Sequence, residues 1–302
     1  MIRRKFRLFI CIPVFFFAFL SLPLSSAASE PQALSANNPI IAIQPKPTSF
    51  PFHYTHTDNY SFNVQSGTYA VVAVLYLQSV ISLDVYNPLY FYLYSADDFT
   101  QTVSTTALQP RIMRKANWKS LGFFTIDGLN LDNDKPYSVG VKGSFGESFI
   151  IEMENGKNSS MQMLEVNTSV TSSFTDLEII DAYQVYFESG FTYNITLDVP
   201  ENISYDLFLS KGAMDEKTAL ASSLSDEHGR DESINSFIAN ETGYYCIMVT
   251  NPNCYQGSYT LDITGVEYVS NETASFSTLA VVILPLALAT LVAFRKRRYF
   301  DH

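Results

Sequence analysis

The stretches DNYSFNVQSG, residues 58–67, and DAYQVYFESG, residues 181–190, carry one pattern twice and decide the fold of this 302-residue chain. Both contain Asp, Tyr, two apolar residues at alternate positions, Ser and Gly at identical spacing. Such an internal repeat predicts two copies of one domain rather than one large enzyme. The alternation of apolar and polar residues is typical of a half-buried strand.

The two copies also end alike. PYSVGVKG at 136–143 precedes ESFIIEM at 147–153, and YYCIMVTN at 244–251 precedes GSYTLDI at 257–263. Each pair predicts a strand that begins near a tyrosine, a turn, and a final strand with alternating apolar residues. The loops between these features differ in length, so we expect the copies to have diverged there.

The remainder of each copy also has the composition of β-structure. Runs rich in Tyr, Phe, Val and Thr predict further strands at 71–77, 89–95, 191–199 and 244–249. A single helical turn is the only helix expected in this part of the chain, within 213–224. We therefore predict an all-β fold with two tandem antiparallel β-sandwiches, at residues 53–157 and 175–266.

The two ends of the chain predict export and anchoring. Residues 1–28 run from a basic segment through an apolar stretch to small residues, which indicates a secretory signal peptide, with an uncleaved anchor as the alternative. Residues 274–294 are uncharged and long enough to cross a bilayer as one helix. The basic tail at 295–302 should remain cytoplasmic. We therefore expect a single-pass cell-membrane protein with an extracellular N-terminal part.

Three segments are predicted to connect these units. Residues 29–52 contain five prolines, which disfavour helix and central strand, so we expect an extended linker. Residues 158–174 are predicted to be a spacer between the sandwiches, and residues 267–273 a stalk before the spanning helix.

The charge of the exported part argues against nucleic acid as a partner. The chain has 19 Lys and Arg against 30 Asp and Glu; removing four basic residues at each end and Asp301 leaves 11 against 29, a net charge of −18. A surface this acidic repels nucleic acid and anionic lipid head groups.

Modification sites fit an extracellular location. Seven Asn-x-Ser/Thr sequons fall between the signal peptide and the spanning helix, so we predict N-glycosylation at Asn59, Asn158, Asn167, Asn194, Asn202, Asn240 and Asn271. Cys246 and Cys254 are the cysteines left after signal removal, and we predict a disulfide that closes a short hairpin loop.

The second copy resembles the bacterial and archaeal pre-peptidase C-terminal (PPC) domain. The pieces that carry the resemblance, in order, are DAYQVYFESG at 181–190, YDLFLSKG at 205–212, ETGYYCIMV at 241–249 and GSYTLDI at 257–263. The first copy keeps the opening and closing pieces but lacks the Thr-Gly signature. The resemblance implies non-catalytic, jelly-roll-like sandwiches on surface proteins or beside secreted proteases, some of which bind calcium, collagen or polysaccharide.

If calcium binds, two acidic segments would supply its oxygen ligands. These are SDEHGRDES at 225–233 and LDNDKPY at 131–137, with the carboxylates Asp226, Glu227, Asp231, Glu232, Asp132 and Asp134. Neither segment has the spacing of an EF-hand, and a solvated acidic loop is the alternative. We assign no cofactor.

The C-terminal tail resembles the sorting tails of archaeal surface proteins, which have an aromatic motif, an apolar helix and a basic cluster. Here Ala274, Ser275 and Phe276 stand where those tails have Pro-Gly-Phe or Pro-Glu-Phe. The departure favours a retained helix over proteolytic processing.

Catalytic motifs are missing from the sequence. It has no Gly-x-Ser-x-Gly elbow, no phosphate loop and no His-Glu-x-x-His helix, and His53 and His56 are expected to be a solvated pair. We therefore predict a non-enzymatic surface protein that acts in adhesion, glycan or protein binding, or envelope structure. The alternative is an accessory subunit of a secreted protease complex or a surface hydrolase.

Overall fold

The structure is a computed structural model that describes residues 31–36, 38–43, 55–79, 88–95, 98–108, 120–144, 147–155, 161–215, 218–225 and 227–267. These residues form β-strands, turns and loops. The predicted signal peptide, spanning helix and basic tail lie outside them. Within the described part, no helix is long and apolar enough to cross a membrane.

The strands fall into two consecutive sets. The first set is β1 (Gln32–Ala33), β2 (Ile40–Ile43), β3 (Thr55–Val64), β4 (Tyr69–Ser79), β5 (Leu89–Ser95), β6 (Asp98–Leu108), β7 (Leu121–Asp127), β8 (Lys135–Ser144) and β9 (Glu147–Asn155). The second set is β10 (Gln162–Leu164), β11 (Thr168–Phe174), β12 (Ile180–Phe187), β13 (Phe191–Asp198), β14 (Asp206–Ser210), β15 (Met214–Asp215), β16 (Ala221–Ser223), β17 (Glu232–Ile238), β18 (Gly243–Thr250) and β19 (Gly257–Glu267).

Each set, apart from β15, forms a sandwich of two sheets, and the two sandwiches have the same topology. In the first, the sheet order is β1-β3-β8-β5-β6 and β7-β4-β9-β2; in the second, it is β10-β12-β18-β14-β16 and β17-β13-β19-β11. Every strand of the first set has a counterpart at the same place in the second. The predicted duplication is therefore present in the strand order as well as in the sequence motifs.

The repeat begins earlier in each copy than the motifs predicted. Part of the expected linker forms β1 and β2, which pair with β3 and β9. Most of the expected spacer forms β10 and β11, which pair with β12 and β19. Prolines and polar residues dominate these segments, but short edge strands tolerate both because one side of each makes no ladder.

The prediction of purely antiparallel sheets also needs correction. β1 runs parallel to β3, and β10 runs parallel to β12. The other pairings within the sandwiches are antiparallel, as expected. The helical turn expected within 213–224 is not seen in the described residues of that segment, where β15 and β16 lie instead.

The apolar faces of each sandwich enclose a separate core. In the second copy, Val185, Leu197 and Tyr205 are among the buried residues, and in the first copy, Val64 and Phe91 are among them. Alternate residues of the repeat point inward, as the pattern predicted. Its final glycines, Gly67 and Gly190, adopt φ angles of 81° and 85°, so the repeat conserves a left-handed turn that other residues adopt at a cost.

The Asp and Tyr of the repeat join the closing motif in the second copy. The Tyr259 hydroxyl donates to Asp181 Oδ2, and the hydroxyls of Tyr183 and Tyr259 lie 2.5 Å apart. In the first copy, Phe149 takes the place of Tyr259 and packs edge-on against Tyr60, with ring centroids 6.3 Å apart. The first copy therefore has a ring contact where the second copy has a hydrogen bond between hydroxyls.

Candidate functional site at the junction of the two sandwiches

A third apolar cluster lies between the two sandwiches and joins them. It combines the outer face of the β7-β4-β9 layer with the outer face of the β12-β18-β14 layer. Phe123 on β7 and Phe208 on β14 meet edge to face with ring centroids 4.9 Å apart, and both are buried. Because each of these strands is covered on both faces, the two copies pack as one unit rather than as modules on a tether.

Polar contacts fix the register of the junction. The Tyr69 hydroxyl accepts a hydrogen bond from Gly212 N and donates one to Tyr244 O, each at 3.0 Å. Tyr69 N donates to Gln184 Oε1 at 3.1 Å, in a buried position. One tyrosine of the first copy is therefore held by three segments of the second.

Strand β15 extends this junction by leaving its own sandwich. It lies between β14 and β16 in sequence, yet it pairs antiparallel with β7, with Met214 opposite Thr125 and Asp215 opposite Phe124. The Thr125 hydroxyl donates to Gly212 O at 3.0 Å. The second copy thus adds an edge strand to a sheet of the first.

A cleft of about 1000 Å³ opens along one side of the junction. Both copies contribute its walls, including Asp127 and Asn130 from the first and Lys211, Glu241 and Tyr244 from the second. It combines aromatic rings, backbone groups and both signs of charge, which is the mixture that ligand sites use.

Lys211 is the cation of this cleft. Its Nζ lies 2.6 Å from Glu241 Oε2 and 5.0 Å from the centroid of the Tyr245 ring. A hydrogen bond from the lysine to Glu241 raises the pKa of Lys211 against the opposing effect of burial and lowers the pKa of Glu241. Both groups are therefore charged at neutral pH and available to orient a polar ligand.

A buried acid forms the second electrostatic feature of the junction. Glu152 on β9 accepts hydrogen bonds from Ile179 N at 2.6 Å and Ile180 N at 3.2 Å. Burial raises its pKa to about 8, so the carboxyl is largely neutral at pH 7. Burial also raises the pKa of Asp181 to about 6, but this repeat residue is bonded to Tyr259 inside the second sandwich. The motifs did not predict the burial of Glu152, because an acid at an alternating position normally faces water.

The predicted glycosylation sites differ in exposure. Asn167, Asn202 and Asn240 are exposed, while Asn59 on β3 and Asn194 on β13 are half-buried. The carboxamide oxygen of Asn167 accepts a hydrogen bond from Gly265 N, and that of Asn194 accepts one from Ser236 N. Asn240 lies on the wall of the cleft. The other two predicted sites, Asn158 and Asn271, lie outside the described residues.

No disulfide joins Cys246 and Cys254, so the predicted bond is not formed. Cys246 is fully buried in the apolar cluster of the junction, where burial raises the pKa of its thiol. Cys254 is partly exposed in the following turn, with a φ angle of 50°. Strand β18 turns the Cys246 side chain into the junction, so packing between the copies and not loop closure occupies this thiol.

The acids considered for calcium have other partners or lie apart. Asp134 Oδ1 accepts from Ser66 N at 2.9 Å, and Asp231 Oδ1 accepts from Val199 N at 3.1 Å. Glu227 pairs with Arg230, and Glu232 is buried against the Ser223 hydroxyl. Asp132 is exposed, and Asp226 lies outside the described residues. In the described part, no three His, Cys, Asp or Glu side chains are grouped as metal ligands.

The histidines of the sequence do not meet in the described residues. His228 is exposed and lies 5.5 Å from the Tyr255 ring, centroid to centroid. His56 belongs to β3, and only the backbone of this residue is described. His53 lies outside the described residues.

Comparison with known proteins gives distant structural likenesses. No protein-family model matches the chain, and no curated protein matches it. The pre-peptidase C-terminal domain of a collagenase from Bacillus anthracis is 18% identical, with a TM-score of 0.30; the match covers 36% of this chain and 100% of that one. This is the domain type that the motifs of the second copy resemble.

Two larger structures match more of the chain at lower similarity. Tripeptidyl peptidase 2 is 8% identical with a TM-score of 0.23, over 78% of this chain and 24% of that one. The CUB1-EGF-CUB2 domains of rat MASP-1 are 10% identical with a TM-score of 0.20, over 77% of this chain and 100% of that one. Likenesses this distant carry no conclusion about ligand, partner or activity.

Proposed function

We propose that this protein is a non-catalytic cell-surface protein that binds an extracellular glycan or protein in the cleft between its two PPC-like sandwiches. The observation that carries the proposal is the cleft itself, because both copies line it and the buried junction fixes its walls. A binding surface held in one arrangement loses less conformational freedom on association than one between tethered modules.

The chemistry of the cleft suits a polar ligand with apolar faces. Tyr244 and Phe237, which are only partly buried, provide aromatic surface, while Lys211, Glu241 and Asp127 provide charged groups. Tyrosine combines a large contact area with few rotatable bonds, which favours it in recognition surfaces. A short oligosaccharide or an extended peptide segment meets these requirements, whereas the net charge of −18 outside the two ends opposes nucleic acid.

The proposed location rests on the ends of the chain. Residues 1–28 direct export, residues 274–294 anchor the protein in the membrane, and the tail at 295–302 stays in the cytoplasm. The sandwiches and their glycans are then displayed outside the cell.

The test is ligand capture by the full-length protein in detergent, on a glycan array and in pull-downs from extracellular material. Lys211→Gln should abolish or strongly weaken the capture because it removes the cation of the cleft. Lys135→Gln is the matched control, since Lys135 also lies over a tyrosine, 5.8 Å from the Tyr137 ring centroid, but does not line the cleft. Equal capture by the wild-type protein and Lys211→Gln would refute the assignment of the site.

A further inference from the structure

Three tyrosines form a row on the outer face of the first sandwich, away from the junction. Tyr90, Tyr92 and Tyr94 alternate with the buried residues Leu89, Phe91 and Leu93 along β5, so all three point outward. Successive ring centroids lie 6.3 Å and 6.2 Å apart, and the ring planes are inclined by only 31° and 21°. We call this surface the tyrosine row.

The Tyr94 ring covers part of the neighbouring strand beside the tyrosine row. Gly140 on β8 stands opposite Tyr92, and a Cβ atom at position 140 would lie 2.8 Å from Tyr94 Cε2 and 3.0 Å from the Tyr94 hydroxyl oxygen. The Tyr94 ring therefore lies across the glycine, flat on the sheet. A residue with a side chain here would lift the ring.

The same glycine stands next to a glycosylation sequon. On its other side, Gly140 pairs with Asn59 of β3. Tyr60 and Phe62 of β3 point into the core, so Asn59 and the sequon residue Ser61 point outward, onto the face that carries the tyrosine row. Asn59, Gly140 and Tyr92 thus form one cross-strand line, with adjacent strands about 4.8 Å apart.

We propose that the N-linked glycan on Asn59 folds back over Gly140 and packs its first sugars against Tyr94 and Tyr92. The sugars have to cross only one strand, and above Gly140 they meet the Tyr94 ring beside the Thr57 methyl group. The C–H faces of a pyranose ring are apolar and weakly positive, which suits the negative face of an aromatic ring, while its hydroxyls reach the phenol oxygens. The glycan of this site is then part of the folded surface.

This inference goes beyond binding in the cleft, and it rests only on the extracellular location. The alternative to the attached glycan is an external saccharide that binds the same tyrosine row. The attached glycan is favoured because strand pairing holds Asn59 beside the tyrosine row. The short connection gives the glycan a high local concentration at the row.

The test uses the full-length chain made in a secretory host that glycosylates Asn-x-Ser/Thr sequons. Site occupancy is measured on glycopeptides by mass spectrometry, and the accessibility of Tyr92 and Tyr94 is measured by the rate of nitration, mapped by peptide. We expect occupancy at Asn59 and slower nitration of both tyrosines than in Asn59→Gln. Asn202→Gln, which removes an exposed sequon of the second copy, should leave these rates unchanged.

A melting experiment separates packing from a general effect of glycosylation. Loss of the glycan in Asn59→Gln should lower the melting temperature by about 2–4 °C, the shift expected for one such contact in a protein of this size. The same change should have a smaller effect in a Tyr94→Leu background, which keeps the contact with Tyr92, because the two effects are coupled only if the groups touch.

Four results would overturn the proposal. If Asn59 carries no glycan while Asn202 does, only this proposal is refuted. If no sequon carries a glycan, the extracellular location is refuted as well. Occupancy with nitration as fast as in Asn59→Gln shows that the glycan stays in solvent. If the released glycan, added at a concentration well below millimolar, slows the nitration of Tyr92 and Tyr94 in Asn59→Gln, the row binds an external ligand instead.

Discussion

The buried carboxyl of Glu152 makes the stability of the junction depend on pH. Burial raises the pKa of Glu152 from 4.5 to about 8, the hydrogen bonds from Ile179 N and Ile180 N lower it, and the charges of Glu178 and Asp181 raise it. An acid whose pKa is higher in the folded state binds its proton more tightly there. The contribution of Glu152 to stability is therefore fully present below pH 4.5 and is lost as the pH rises to about 8.

The magnitude follows from the two pKa values. At 1.36 kcal/mol per pKa unit, the whole interval corresponds to about 5 kcal/mol, of which about 2 kcal/mol falls between pH 6.5 and pH 8.0. Asp181, whose pKa is raised to about 6 by burial, titrates largely below this interval. A loss of about 2 kcal/mol in this range is therefore assigned to Glu152.

Urea denaturation followed by circular dichroism measures the free energy of unfolding at the two pH values. Glu152→Gln keeps an oxygen that accepts from Ile179 N and Ile180 N but cannot ionise, so its stability should change little between pH 6.5 and pH 8.0. A wild-type protein whose stability is flat over this range, or a variant that loses as much as the wild type, would refute the reasoning.

Three further predictions concern the junction and the repeat. Phe208→Ala should lower the free energy of unfolding by about 3–5 kcal/mol in urea denaturation, although this residue lies outside both sandwich cores, and a loss below about 1 kcal/mol would mean that water fills the junction. Gly67→Ala and Gly190→Ala should each cost about 1–2 kcal/mol in the same assay, because both glycines have positive φ, and a neutral change would show that neither turn is required. Alkylation without reductant should label Cys254 in the native protein and Cys246 only after unfolding. Detection of a peptide in which the two cysteines are linked would show that the disulfide forms after all.

The sequence predicted each sandwich well because period-2 patterns report directly on which face is buried. The run 89–95 was predicted as a strand and is β5, and the run 191–199 corresponds to β13 at Phe191–Asp198. The short strands β1 (Gln-Ala) and β10 (Gln-Met-Leu) were not predicted because two or three residues are too few to show a period, and they become strands only when a neighbour pairs with them.

The junction was not predicted, although one signal for it was present. The segment 69–77 is apolar at nearly every position instead of alternating, which is typical of a strand covered on both faces. The partner strand β9 is also covered on both faces, but its sequence did not indicate this. Glu152 and Glu154 suggested an exposed face, and both are buried. The position of β15 depends on contacts between residues about 90 positions apart, which no local pattern encodes.

The two copies fold as one unit and hold the cleft between them, which differential scanning calorimetry of the full-length protein at pH 6 can measure. We predict one transition whose calorimetric enthalpy equals its van't Hoff enthalpy, and which shifts as a whole to lower temperature in Phe208→Ala. Two separate transitions in the wild-type protein, with only one of them moved by Phe208→Ala, would show that the copies fold independently.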